Sequence, residues 1–287
     1  MKCFYQARID HVIDYVQAHL SEALDVSKLA QLAFFSEYHF NRLFKDRTGE
    51  SLYQFIRRLR LENAANLLCS DAKPITQVAL ECGFSNSSSF AKAFKQHFGY
   101  NASQWKAELS THFRKASFPI SRNGLCSNQS VFLEQLEPIT VAYVRNIGNY
   151  IADAELFGHL YEKLLGWAIP RGFLCDETYN IYHDNPNITA STQLRVMVAL
   201  EVPDVTLSAG DIGITRLNGG KYAVRRFYLK DDEYSSAWAW MTTEWLSQSG
   251  YAFDVERESI ERCLGEYNYN GCVFYRVDIC IPIKALG

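Results

Sequence analysis

The chain has 287 residues, 48% of them hydrophobic, and a formal net charge of −3. That suffices for two domains with cores of their own, and no run approaches the roughly 18 uninterrupted apolar residues of a membrane span. Met1 to Asp14 mixes charged and apolar residues with no signal-peptide stretch, so the expectation is a cytoplasmic protein with no membrane partner.

Eight cysteines, at positions 3, 69, 82, 126, 175, 263, 272 and 280, show no C-x-x-C spacing and no His-x-x-x-His partner. They read as reduced, mostly buried thiols rather than a disulfide frame or a zinc site. Charge is divided unevenly. Residues 1–115 carry 15 basic and 11 acidic residues, and the remainder carry 14 and 21. A basic segment joined to an acidic one fits an N-terminal region that meets a polyanion, although ordinary surface variation gives the same excess.

In chain order, the first feature is an internal repeat. An offset of 50 places Phe40 on Phe90, Phe44 on Phe94, Lys45 on Lys95, Gly49 on Gly99, Gln54 on Gln104 and Phe55 on Trp105. Upstream the offset is 49, placing Val26 on Ile75, Leu29 on Val78, Ala30 on Ala79, Phe35 on Phe84 and Ser36 on Ser85. The second copy therefore has one extra residue near its turn. Each copy predicts a short amphipathic helix, then a tight turn with Gly83 in copy two and Ala33 nearby in copy one. A second helix follows, capped by Ser36 or by Ser85-Asn86. It should bury Phe40, Leu43 and Phe44, or Phe90, Ala93 and Phe94.

Two short helices across a tight turn form a helix-turn-helix, whose second helix enters the major groove of double-stranded DNA. Its outward residues would be Glu37, Tyr38, Asn41, Arg42 and Lys45, then Asn86, Ser87, Ser88, Ser89, Lys92 and Lys95. Asn and Arg can each make two hydrogen bonds to a base edge, whereas Ser and Lys suit phosphates. Between the copies, Leu52 to Leu68 reads as one long helix holding the units apart.

The stretch Phe113 to Ser130 has no sustained period and collects Ser, Asn, Pro and Gly, which marks a linker. Alternating β-rich runs follow (VFLEQL, ITVAYV, LRVMVALEV, KYAVRRFY, YRVDICIPI), broken by two helical stretches. The fold class is therefore multidomain: an all-α tandem helix-turn-helix domain over 1–112, a linker over 113–130, and an α+β domain over 131–287. The last domain repeats as well. An offset of 81 pairs Ala142 with Ala223, Phe157 with Trp238, Leu164 with Trp245, Arg195 with Arg276 and Val198 with Ile279. Each half reads β-α-β-β, and two such halves can share one sheet about a pseudo-twofold axis, with an aromatic groove between them. Candidate effector contacts there are Tyr143, Tyr182, Tyr222, Trp238 and Trp240, while Tyr150, Tyr228, Tyr234 and Tyr251 share the same elements. In SIERCL, alternation puts Glu261 on one face with Cys263, opposite Ile260 and Arg262. From alternation alone, Glu261 is either a surface carboxylate paired with an Arg or a pocket group.

LAQLAFFSEYHFNRLFKDRTGESLYQFIRRLRLENAANLL followed by ITQVALECGFSNSSSFAKAFKQHFGYNASQW resembles the DNA-binding domain of the AraC/XylS regulator family over about residues 5–109. The resemblance implies seven helices and one monomer reading two adjacent major-groove segments. It implies base readers Tyr38, Asn41 and Arg42, then Ser87, Ser88 and Lys92, with Lys45 and Lys95 beside them on the DNA face. Ala102 stands where that family usually has Pro. Residues 131–284 resemble the GyrI-like effector-binding domain in LRVMVALEVP, LNGGKYAVRRF, EWLSQSGYAF, SIERCL and YRVDICIPI, in the Rob-like order with the sensor behind the DNA-binding domain. That resemblance implies that Glu261 lies in a pocket for hydrophobic, often cationic, small molecules, where ion pairing joins cation–π attraction. Asn149 and Cys263 stand where the family usually has Pro and an aromatic residue.

The leading expectation is a ligand-responsive transcription activator whose partners are double-stranded DNA, a small-molecule effector and RNA polymerase. No catalytic residue, metal set or cofactor is expected. The alternatives are a sensor domain that hydrolyses a reactive small molecule with the Glu as base, and a ligand-independent architectural DNA binder.

Overall fold

The computed structural model of the chain describes residues 3–70, 73–109, 130–269 and 272–286. They form two compact units, one of helices and one built on a β-sheet. The expected linker over 113–130 lies, apart from Ser130, outside the described residues. No helix among the described residues is long and apolar enough to cross a membrane.

The helical unit contains α1 (Cys3–Ala18), α2 (Val26–Leu32), α3 (Glu37–Thr48), α4 (Leu52–Ser70), α5 (Ile75–Glu81), α6 (Ser87–Phe98) and α7 (Ala102–Gln104), the last running into a π-helical Trp105–Leu109. Polar side chains start the repeated helices. Ser36 accepts from the His39 N–H at the head of α3, and Asn86 accepts from the Ser89 N–H at the head of α6. Gly49 and Gly99 end the two helices in left-handed conformations, at φ 79° and 78°. The aromatic repeat builds two matching cores. Phe40, Phe44 and Phe55 are fully buried, with Phe55 edge-on to Phe44 at 5.3 Å. Phe90 and Phe94 are equally buried, with Trp105 edge-on to Phe94 at 5.7 Å. Each such ring contributes about 1.5–3 kcal/mol of apolar burial. Leu43 is only half-buried.

Two sequence details resolve here. The change of offset falls in the turns, four residues long between α2 and α3 and five between α5 and α6. The copy-one counterpart of Gly83 is Phe34 rather than Ala33. Phe34 holds φ 58° against 78° for Gly83, while Ala33 ends α2 at φ −82°. At Ala102, the first residue of α7, the start is secured by a reciprocal capping box between Asn101 and Gln104.

The sheet unit comprises β1 (Phe132–Leu136), β2 (Ile139–Ile147), α8 (Ala154–Ala168), β3 (Thr178–Tyr182), β4 (Arg195–Glu201), β5 (Gly213–Leu217) and β6 (Gly220–Leu229). After these come α9 (Tyr234–Ala239, continued by a π-helical Trp240–Trp245), β7 (Tyr251–Phe253), β8 (Ser259–Tyr269) and β9 (Cys272–Ala285). The strand order is β1-β6-β9-β8-β3-β4-β2-β5, with β7 pairing to β9. Under the offset of 81 this order reads the same from either edge, so the pseudo-twofold passes between β3 and β8.

Each half differs from the expected β-α-β-β: the first is β-β-α-β-β, and the second is the same with the short β7 added after its helix. The extra first strand crosses to the other half. β1 pairs with β6, Phe132 opposite Val224 through Leu136 opposite Gly220, and β5 lies beside β2. A strand that pairs outside its own half leaves no sign of its partner in local alternation. The two strand-to-strand connections, Glu137-Pro138 and Asn218-Gly219, meet where they cross. A Cβ built on Gly219 would collide with the Leu136 carbonyl oxygen and lie 2.7 Å from Pro138 N and 2.8 Å from Glu137 C.

Side chains alternate across the sheet. One face carries Val141, Tyr143, Tyr179, Ile181, Met197, Tyr222, Val224 and Ile260 as a continuous buried cluster. The other carries Asn180, Glu261 and Cys263 beneath the helices; α8 packs on β2 and β4, and the helical run from Tyr234 packs on β9.

Gly219→Ala should cost about 1–3 kcal/mol, the range of overpacked cores, because its new methyl meets backbone that cannot rotate away. Gly158→Ala, on α8 with nothing within 4 Å of its Cβ, should instead gain up to about 1 kcal/mol. Thermal melts of the two variants check the contrast, and equal midpoints would mean that the connections do not touch.

Candidate functional site

Helices α3 and α6 present the expected DNA-facing side chains. Tyr38, Asn41, Arg42 and Lys45 are all exposed on α3, as are Ser87, Ser88, Lys92 and Lys95 on α6. Tyr38 is 82% exposed, so its ring is open to contact. Arg42 donates from Nη2 to His39 Nδ1 at 3.2 Å, which holds its guanidinium along the helix face. The faces of both helices that point inward are aromatic and closed, so the outward faces alone are free to meet a ligand. The free face of α6 has hydroxyls and two ammonium groups, whereas that of α3 has the planar donors needed for bidentate contact with bases.

In the sheet unit, the central pair of strands sets Asn180 directly opposite Glu261. These two are also partners under the offset of 81. Glu261 is 1% exposed. Its carboxylate accepts three hydrogen bonds: Asn180 Nδ2 to Oε2 at 3.0 Å, the Tyr182 hydroxyl to Oε2 at 2.9 Å, and Trp238 Nε1 to Oε1. No Lys or Arg among the described residues lies within ion-pair distance of it. Burial therefore raises its pKa above the ordinary carboxylate value, and the three donors only partly oppose that rise.

An arc of rings surrounds the carboxylate. Tyr182 is edge-on to Trp238 at 5.3 Å and 5.5 Å from Tyr150, which lies 6.4 Å from Phe157. Phe157 on α8 and Trp238 on α9 are repeat mates, so both halves contribute the same wall. Behind Asn180, Tyr161 donates its hydroxyl to Asn180 Oδ1 at 2.9 Å and sits 3.2 Å from Cys263 Sγ. Burial and the nearby Glu261 charge push the Cys263 thiol up to about 12, so it offers no thiolate nucleophile at neutral pH. Among the described residues, no group of three or more His, Cys, Asp or Glu side chains is placed to hold a metal ion.

Of the expected effector contacts, the structure brings together Glu261, Tyr182 and Trp238. Tyr143 and Tyr222 are fully buried on the opposite face of the sheet, in the apolar cluster around Ile181 and Ile260, and do not reach Glu261. Trp240 turns to the Arg225 guanidinium, 4.1 Å from its ring, and lines a separate cleft with Glu244 and Trp245. Sequence reasoning missed Asn180 and Tyr161. The signal for Asn180 was present, since the offset of 81 carries Glu261 onto it.

Comparison with known proteins agrees with this division. Residues 129–284 match the family described as GyrI-like small molecule binding domain, and residues 29–108 match one described as Helix-turn-helix domain. The chain belongs to the GyrI-like family. Its helical part is an AraC-type helix-turn-helix domain. A Photobacterium leiognathi protein named "Probable transcriptional regulator LumQ" is 36% identical over 93 residues, 32% of this chain and 38% of that protein. An uncharacterized HTH-type transcriptional regulator of Staphylococcus aureus (strain COL) is 27% identical over 148 residues, 52% of this chain and 19% of its own. The chain thus spans less than half the length of either relative. The DNA-binding domain of AdpA, solved in complex with a target DNA, is 27% identical at a TM-score of 0.35, covering 36% of this chain and 94% of that one.

The buried carboxylate of this GyrI-like unit has a signed consequence. With its folded pKa raised, the native state holds the proton more tightly than the unfolded chain does. Stability is therefore lost as pH rises from the ordinary carboxylate value through the folded one. Glu261→Gln removes the charge and keeps the shape; an amide flip of Asn180 and rotation of the Tyr182 and Tyr161 hydroxyls re-pair its N–H groups. The variant should melt above the wild type at pH 7, with the advantage shrinking towards pH 4. If the wild type melted higher at pH 7 instead, the three donors would outweigh burial.

Proposed function

We propose that the chain is a DNA-binding transcription regulator whose GyrI-like unit takes a hydrophobic, cationic small molecule at Glu261. The observation that carries this reading is a fully buried carboxylate with three neutral donors, a wall of aromatic rings and no cationic neighbour among the described residues. A charge in that setting is costly until a cation joins it. Ring faces add cation–π attraction of about 0.5–2 kcal/mol, and neutral residues alone would give no reason to place a carboxylate there. The regulators named among its relatives support the DNA-binding half, as do the two recognition helices with exposed Asn41, Arg42, Lys92 and Lys95.

Tyr38, Asn41 and Arg42 act as base readers in the first major-groove segment, and Ser87, Ser88 and Lys92 contact the second. Lys45 and Lys95 neutralise phosphates. The output is activation through RNA polymerase in the cytoplasm, a reading supported by the resemblance of the helical domain to AraC/XylS regulators. Ligand binding switches the output only to the extent that the DNA-competent and incompetent states bind the ligand with different affinity.

The test has two arms on the full chain. A duplex selected from random sequence by the wild type should lose about 1–3 kcal/mol of affinity with Arg42→Ala, while non-specific DNA is almost unaffected. Lys95→Ala should weaken all sequences alike and reduce the slope of log affinity against log salt by about 1. In the second arm, calorimetry with benzyltrimethylammonium and its neutral isostere neopentylbenzene separates charge from shape. Glu261→Gln should weaken the cation at least about tenfold, or 1.4 kcal/mol, and leave the neutral compound almost unchanged. Equal losses for both would make the carboxylate structural.

A further inference from the structure

One side chain ties the two helix-turn-helix units to each other. Arg60 lies midway along α4, the helix between them, and its guanidinium donates to three backbone carbonyls. Nε reaches Leu20 O at 2.8 Å, Nη2 reaches Glu22 O at 2.6 Å, and Nη1 reaches Gly83 O at 3.0 Å. Leu20 and Glu22 belong to the loop that leads into α2, the first helix of the first unit. Gly83 is the left-handed turn residue of the second.

The contact is close enough to dictate the residue at position 83. A Cβ on Gly83 would lie 2.9 Å from Arg60 Cζ and Nε and 3.0 Å from the Ser21 carbonyl oxygen. Copy one carries Phe34 at the matching left-handed position, where its ring is 81% exposed. Gly83 is therefore required by the approach of the first unit and by the guanidinium between them, over and above the turn's own geometry. A guanidinium offers its donors in one rigid plane, so three carbonyls held by it are fixed in distance and in angle. A second tie from α4 to α6 is a surface bond, Arg57 Nη2 to Gln96 Oε1 at 2.8 Å, with Gln96 exposed and Arg57 half-buried.

We infer that Arg60 is the positioning residue that sets the separation and phase of α3 and α6, and with them the spacing between the two DNA segments one monomer reads. The inference rests on the DNA-binding reading above. Segments read on one face of the duplex lie about one helical turn apart, roughly 10 base pairs. Each added base pair rotates the second segment by roughly a tenth of a turn, so a rigid clamp accepts one spacing and penalises its neighbours. Once the first helix is seated, the second binds at high effective concentration, but only if the clamp holds it in reach.

The experiment measures spacing preference with the full chain. The duplex selected by the wild type is compared with duplexes in which one or two base pairs are added or removed between the two protected segments, and with one retaining a single segment. Wild type, Arg60→Met, Arg60→Lys and Arg57→Ala are titrated on each, with circular dichroism confirming the fold. Arg60→Met should lose at least about tenfold on the native spacing and much less on the shifted and single-segment duplexes, so the preference flattens. Arg60→Lys, which keeps the charge but lacks the planar fork, should flatten it partly, and it carries the test alone if Arg60→Met does not fold. Arg57→Ala should retain the wild-type profile. A uniform loss across all spacings, with the preference unchanged, would overturn the inference and leave Arg60 a folding residue. A wild type that selects no sequence at all would sink the DNA-binding reading, and this inference with it.

Discussion

The antiparallel pairing of β3 with β8 is the contact on which the sheet unit is organised. It lies on the pseudo-twofold axis, so each residue of β3 meets a residue of the other half, and Asn180 meets its own repeat mate, Glu261. Everything outward from that pair follows in mirrored order: β4 and β9, then β2 and β6, then the exchanged strands β5 and β1. A slip of one residue in this register would turn Asn180 and Glu261 into the apolar cluster of Tyr179, Ile181 and Ile260. The register is therefore fixed by polarity as well as by hydrogen bonding.

The symmetry is broken at the residue pair where it matters most. One half supplies an amide and the other a carboxylate, so the axis holds one charge rather than two. Two carboxylates so close could not both ionise, and two amides would hold no cation. The asymmetric pair gives one anionic acceptor and one neutral donor that steadies it. Tyr161 stands behind Asn180 and takes up its carbonyl oxygen, which directs the amide N–H groups towards Glu261. The walls keep the symmetry only in part: Phe157 and Trp238 come from equivalent helices, with Trp238 on the carboxylate and Phe157 beside Tyr150, whereas Tyr182 falls on Cys263 under the same offset. Charge is thus set by one half and shape by both.

Much of this was legible in the sequence, for a physical reason that also marks where legibility ends. Repeats expose themselves when both copies solve the same packing problem, and the Phe40/Phe90, Phe44/Phe94 and Phe55/Trp105 matches are the cores of two identical solutions. Helical faces follow from a local period, so the exposed positions of α3 and α6 could be named in advance. Sheet faces were harder. Tyr143 and Tyr222 were assigned to the groove because they are aromatic, yet strand parity places Tyr143 with Val141, and Tyr222 with Val224, on the far face. Aromatic character says that a residue is buried and says nothing about which side. The exchange of β1 and β5 left no local sign, because each pairs with a strand of the other half; Phe132, for one, meets Val224. Phe34 was missed since a left-handed backbone is read from glycine, and here it is imposed on a bulky residue at a backbone cost of roughly 1–2 kcal/mol, with the ring itself having room at an exposed site.

Burial of Glu261 also bears on how a small-molecule-binding unit of this design would respond to a ligand. A pocket that fits its ligand but is content without it gains only the contacts made on binding. A pocket holding a desolvated charge is held above its minimum until a cation enters, and that stored cost is returned to the ligand that neutralises it. The same cost falls on every state in which the site is formed and empty, and is absent from states in which Glu261 reaches water. On the proposed reading, a cation would favour states in which Glu261 is buried over states in which it reaches water by more than its direct contacts provide. The carboxylate would supply the larger part of that preference, and the ring faces would add their cation–π share. Differential affinity between two states is what any ligand-driven switch requires. On the same reading its source is one buried charge on an axis of symmetry, held by three neutral donors with no Lys or Arg among the described residues at ion-pair distance.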